Sequence, residues 1–220
     1  MGCKYWYMKL IIAAFFIIFQ SFYYCQATPA GFTVMEEVTG DLDKDSIPEK
    51  VIVYNTSDST ELGTKREIHI FKKTNSTWAL WKKSKNAIRS SDEGGVMGDP
   101  YGFIEIKKGI LIIGHAGGSN WKWNYTDKYR LKNGEFELIG FSYTEGQYCH
   151  YFNYIDFNIV TGKYNYKKEY FNCTEDRDES KVTKTEIETC IKKGIKLTLN
   201  NRNSQEIRIV TKKYKYAFSI

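Results

Sequence analysis

Between Asn120 and Lys132 the residues change character at almost every step. Trp121, Trp123, Tyr125, Tyr129 and Leu131 occupy odd positions, while Asn120, Lys122, Asn124, Thr126, Lys128, Arg130 and Lys132 occupy even ones. A period of two puts apolar side chains on one face of an extended strand and polar ones on the other; a helix would scatter both around its circumference. Asn133-Gly134 follows. Both central residues of a type I′ turn need positive φ, which this pair tolerates well. The turn sets Leu131 opposite Phe136 and Tyr129 opposite Leu138, with Lys132 facing Glu135 and Arg130 facing Glu137. Apolar then meets apolar on one face and base meets acid on the other.

Other hairpins follow the same logic. Residues 103–107 and 110–115 join through Lys107-Lys108-Gly109, and 66–72 and 77–82 flank Thr74-Asn75-Ser76. Lys50–Tyr54 reads as a short apolar strand, and Tyr214, Tyr216, Phe218 and Ile220 alternate as a docked strand would. Ser90–Pro100 is a long polar loop and the expected mobile segment. Only Lys181–Lys193 has helix-like spacing, through Val182, Ile187, Cys190 and Ile191, with Gly194 as a terminator. The expectation is one all-β domain over residues 28–220, of antiparallel hairpins and meanders. Two packed sheets and blade-like meanders both fit, with at most one short helix. The 42% hydrophobic content excludes a disordered chain.

Residues 1–27 read as a secretory signal. Lys4 and Lys9 precede the apolar run Leu10–Phe19 (LIIAAFFIIF), and Cys25-Gln26-Ala27 offers small residues for a cut after Ala27. Ten apolar residues suit a signal core and fall short of the roughly 20 that span a bilayer. The expected location is therefore periplasmic or secreted, with no transmembrane helix in the mature chain. A lipid anchor on Cys25 is an alternative reading, although Tyr23 and Tyr24 stand where such sites have small residues. The net charge of +6 is modest, and bases in the C-terminal third alternate with Tyr and Ile. That pattern carries no specific nucleic-acid signal.

Export favours disulfides, and Cys149, Cys173 and Cys190 remain after cleavage. A hairpin of residues 148–160 and 163–172, turning through Val160-Thr161-Gly162, sets Cys149 opposite Cys173. The apolar pairs Ile159–Tyr164 and Phe157–Tyr166 ask for a register one residue different. One β-bulge between turn and cysteines reconciles the two. The expected bridge is Cys149–Cys173, with Cys190 a buried or free thiol.

One stretch carries recognisable chemistry. Asp41, Asp43, Asp45 and Glu49 occupy positions 1, 3, 5 and 9 of a loop that leads into Val51-Ile52-Val53-Tyr54. Alternate carboxylates on a tight loop converge on one point, as a hard cation such as Ca²⁺ requires. The Ile47 carbonyl at position 7 would add an oxygen. Position 12 is Ile52 and no helix flanks the loop, so this is not an EF-hand. The stretch resembles the calcium loops of integrin-type FG-GAP/VCBS repeats, Asp-x-Asp-x-Asp-Gly-x-x-Asp feeding a strand. Ser46 stands where that family has Gly, and Glu49 where it has the final Asp. The resemblance covers residues 40–54 and implies a bound Ca²⁺ and a propeller built from blades.

A catalytic reading rests on Gly114-His115-Ala116-Gly117-Gly118-Ser119, a His and a Ser among glycines. No GxSxG elbow or HExxH pair accompanies it. Trp78, Trp81, Trp121 and Trp123 are candidates for an aromatic platform that would take a protein or glycan ligand. The expectation is a non-enzymatic exported β-domain, a binding or structural module that calcium stabilises. A small hydrolase using His115 and a lipid-anchored envelope protein are the alternatives.

Overall fold

The computed structural model describes residues 28–173, 180–204 and 206–220. Residues 1–27, which include the expected leader, the expected cut after Ala27 and Cys25, lie outside them. The described residues form thirteen strands and one short 3-10 turn, η1 (Gly95–Met97). Strands β1 (Thr33–Gly40), β2 (Glu49–Thr60), β3 (Gly63–Thr74) and β4 (Thr77–Ser84) form a four-stranded antiparallel meander. Strands β5 (Tyr101–Lys107), β6 (Ile110–Gly118), β7 (Trp121–Lys132), β8 (Glu135–Gln147), β9 (Tyr151–Asn158), β10 (Lys163–Cys173) and β11 (Ser180–Ile191) form an open seven-stranded one. Strands β12 (Arg208–Val210) and β13 (Ala217–Ser219) pair with each other. The four-stranded sheet has the size of one blade. The seven-stranded sheet does not divide into blades, so the described residues do not build the propeller that the loop resemblance implied.

The β7–β8 hairpin has the expected register: Leu131 faces Phe136, Tyr129 faces Leu138, Lys132 faces Glu135 and Arg130 faces Glu137. Asn133 and Gly134 take φ of 51° and 80°, the double left-handed turn that the dipeptide favours. Beyond Tyr129 the register slips by one residue on β8, between Leu138 and Gly140. The first part of β8 is then free of β9, and residues 197–199 pair with it through Leu138 N–H to Leu197 and Leu199 N–H to Phe136.

Two expectations about individual strands and turns are also corrected. Residues 181–193 form no helix, because 180–191 are strand β11, paired along β10 from Cys173–Ser180 to Lys163–Ile191. Val182, Ile187 and Ile191 are exposed and only Cys190 is buried, so the helix-like spacing marked no buried stripe. Thr183, Thr185 and Thr189 suit an edge strand instead. The β9–β10 turn is also one residue longer than expected. Asn158 pairs with Lys163, Phe157 with Tyr164 and Ile155 with Tyr166. The cysteine pairing survives, because Cys149 (φ 62°) sits in the tight turn before β9 and absorbs the offset. The Cys149–Cys173 bridge closes the far end of this hairpin with Cα atoms 5.2 Å apart. Cys190 is a buried free thiol.

One core joins all three sheets. Val51, Val53, Ile68 and Ile70 enter it from the four-stranded sheet, and Leu111, Tyr129, Phe157 and Tyr166 from the seven-stranded one. Leu197, Leu199, Ile209, Phe218 and Ile220 cap it from the C-terminal segment. Strand β2 is buried on both sides, since Ile52 and Tyr54 pack with Phe71 on the opposite face. That explains the unbroken apolar run at 51–54. The 90–100 loop, expected to be mobile, is tied at several points. The buried Arg66 guanidinium makes a bidentate pair with Asp99, Gly118 N–H donates to Gly94, and Ala116 N–H to Pro100.

Candidate functional site

The β1–β2 connection is the acidic loop. Asp41 binds it into shape by accepting Lys44 N–H at 2.6 Å and Ser46 N–H at 3.0 Å. Asp45 accepts Ile47 N–H at 2.8 Å. Such side-chain-to-backbone bonds are how Asp stabilises a tight turn. Ser46 has φ of 69°, so it adopts the left-handed conformation for which the resembling family uses Gly. Lys44, with φ of 67°, is a second left-handed residue in the same loop.

Oxygens of Asp41, Asp43 and Glu49 lie within 4.8 Å of one another, a cluster that could hold a metal ion. Glu49 is buried and its Oε2 accepts Leu42 N–H at 2.7 Å. Burial pushes its carboxyl above the usual range, and the neighbouring Asp43 and Asp45 charges push the same way, while the Leu42 N–H opposes them. Asp45 and Ile47 belong to the same loop but lie outside that three-carboxylate cluster. The Lys72 ammonium reaches in from β3, hydrogen-bonds Asp43 and lies 3.6 Å from Asp45. Its bond to Asp43 raises the Lys72 pKa. Lys72 also sits 4.6 Å over the Trp81 ring, which packs edge-on against Phe136 of β8. The acidic loop is thereby connected through Lys72 and Trp81 to the seven-stranded sheet.

The glycine-rich end of β6 is built around aromatic rings. A Cβ on Gly114 would lie 2.2 Å from the Phe103 ring, and one on Gly117 would lie 2.5 Å from the Trp123 ring. Gly118 has φ of 112° and its Cβ would strike the Trp121 carbonyl. His115 is 2% exposed and stacks on Tyr125 with centroids 4.9 Å apart. Its Nε2 accepts the Arg89 backbone N–H at 3.3 Å, and Nδ1 has no partner among the described residues. Burial, then the Arg89, Arg202 and Arg66 charges, depress its pKa to about 3. Among the described residues no Ser or carboxylate is hydrogen-bonded to this enclosed imidazole, an arrangement poorly suited to a general base.

The four tryptophans do not form one platform. Trp78 packs beside Phe71 on the outer face of the four-stranded sheet, and Trp81 lies between the sheets. Trp121 and Trp123 share the inner face of β7, where Trp121 meets Tyr151 edge-on and Trp123 lies parallel to Tyr125. Sequence reading missed the buried ion pair beside them. Asp127, 0% exposed, accepts Arg202 Nε at 2.7 Å and the Tyr129 hydroxyl at 3.1 Å. Its signal was present: Asp127 is the one charged residue at an inward position of the alternating strand.

No family model matches the chain, and no curated protein matches it in sequence. The site therefore has to be read from its own chemistry. No helix among the described residues is long and apolar enough to cross a membrane, and the Cys149–Cys173 disulfide is compatible with export.

Proposed function

We propose that this chain is an exported, non-enzymatic binding module whose acidic loop takes Ca²⁺ to lock the β1–β2 connection against the rest of the fold. The observation that carries the reading is the convergence of Asp41, Asp43 and the buried Glu49 within 4.8 Å. Asp45 and the Ile47 carbonyl would complete an all-oxygen shell, which is what a hard cation selects. The family resemblance of residues 40–54 and the left-handed Ser46 support the same assignment. Lys72 is the built-in competitor. It neutralises Asp43 in the absence of metal, and a divalent ion has to displace it. Affinity in the range of about 10⁻⁴–10⁻³ M, that of extracellular calcium modules, is the expectation.

The His115 geometry weighs against the hydrolase alternative, since the imidazole faces neither solvent nor a nucleophile. Calorimetric titration of residues 28–220 with Ca²⁺ tests the reading. Saturable binding is expected in the unaltered protein, about tenfold weaker binding in Asp43→Ala and tighter binding in Lys72→Met. Absence of binding in the unaltered protein and in Lys72→Met alike would refute the metal site.

A further inference from the structure

We propose that the cleft between the seven-stranded sheet and the C-terminal hairpin binds a small acidic saccharide, its anionic oxygens on Arg202 and Arg89 and its ring against the half-buried Trp123 and Tyr143. The cleft holds about 790 Å³, inside the range of about 300–1,000 Å³ usual for small-ligand sites. The inference rests on reading the chain as a binding module but not on the calcium loop.

Two guanidinium groups flank one buried ring. Arg89 Cζ lies 5.5 Å and Arg202 Cζ 5.4 Å from the Tyr125 centroid. Arg202 has only 7% of its side chain exposed. It spends Nε on Asp127, and its two terminal nitrogens have no hydrogen-bond partner among the described residues. Arg89 spends Nε on the Tyr125 hydroxyl at 3.0 Å and Nη1 on Glu93 at 3.0 Å, which leaves Nη2 without a partner among them. Each cation already has one carboxylate, Asp127 for Arg202 and Glu93 for Arg89, so an added anion would take only the unused terminal nitrogens. The planar fork matches the two oxygens of a carboxylate or sulfate.

The rest of the lining asks for more than an inorganic anion. Trp123 lies at 15° to Tyr125 and Tyr143 at 14° to Phe141; Tyr125 and Phe141 are buried beneath the Arg89 and Arg202 guanidinium groups, so the half-buried Trp123 and Tyr143 are the rings left to a ligand. Flat aromatic faces suit the C–H face of a sugar ring. Asn203 and Ser204 are exposed at the rim and offer donors and acceptors to hydroxyls. Glu206, also at the rim and exposed, would repel an anion and so offers a test that leaves the core untouched.

The experiment is calorimetric titration of residues 28–220 in EDTA with glucuronate, glucose and acetate, alongside tryptophan fluorescence. Working in EDTA keeps the outcome independent of the calcium loop. Glucuronate is expected to bind, with glucose and acetate each at least about tenfold weaker. Glu206→Gln should tighten glucuronate binding about twofold, and Arg89→Gln should weaken it about tenfold while the protein still melts cooperatively. No binding of glucuronate to a cooperatively melting protein would overturn the proposal. Equal binding of glucose would overturn the anion site, and equal binding of acetate would overturn the saccharide.

Discussion

Two buried titratable side chains make this protein respond to pH in opposite directions. His115 is held neutral, its pKa lowered from 6.5 to about 3. An unfolded chain binds a proton there as pH falls below 6.5, while the folded chain does not, so stability is lost between pH 6.5 and about 3. The slope from this one group is about 1.4 kcal/mol per pH unit. Urea unfolding across that window should show it, and His115→Asn should flatten the curve by about one proton. Glu49 acts the other way. Its raised pKa penalises the charged form in the metal-free fold, so its contribution is fullest below 4.5 and is lost as pH rises through the folded value. Glu49→Gln keeps an acceptor for Leu42 N–H and removes the charge. It should stabilise the metal-free protein at neutral pH and abolish its response to Ca²⁺. A thermal melt in EDTA checks the first half, and destabilisation there would contradict it. At this scale the sequence announced the acidic loop clearly, because Asp41, Asp43, Asp45 and Glu49 are close along the chain. It marked Asp127 as a charge at an inward position but hid the partner, Arg202, which is 75 positions away and meets it only through the tertiary fold.

Among the elements, those with strong local rules were legible. Asn133-Gly134 fixed the β7–β8 register correctly from the turn outward, and the slip beyond Tyr129 is a bulge that no local signal marks. Strand β11 was misread because its outward residues at the sheet edge include Val182, Ile187 and Ile191. Exposed apolar positions mimic a helical stripe when burial is unknown. The β9–β10 turn was misjudged by one residue, yet its disulfide was foreseen, since Cys149 lies in a left-handed turn that takes up the difference. This bridge spans 24 residues of sequence and should contribute about 3 kcal/mol by restricting the unfolded chain. Cys149→Ser/Cys173→Ser is therefore expected to melt about 6–12 °C lower than the unaltered protein. Matching melting temperatures would show that the bridge constrains nothing.

Across the whole molecule, two sheets and a C-terminal cover share one core, and both candidate sites lie on it. The acidic loop communicates with the seven-stranded sheet by way of Lys72, Trp81 and Phe136, and the cleft lies where the C-terminal segment crosses β7 and β8. The all-β class followed from alternation and turn residues, which are local. How the sheets face each other, and that the chain returns as residues 197–220 to cap them, depends on contacts remote in sequence that periodicity does not encode. If calcium belongs to this fold, thermal unfolding of residues 28–220 in EDTA and then in Ca²⁺ at about ten times its Kd shows it. Binding at that excess stabilises by about 1.4 kcal/mol, which for a chain of this size raises the melting temperature by about 3–6 °C. That rise is expected in the unaltered protein, and at the same Ca²⁺ a rise only about a third as large in Asp43→Ala, whose binding is about tenfold weaker. An unchanged melting temperature in the unaltered protein would contradict it.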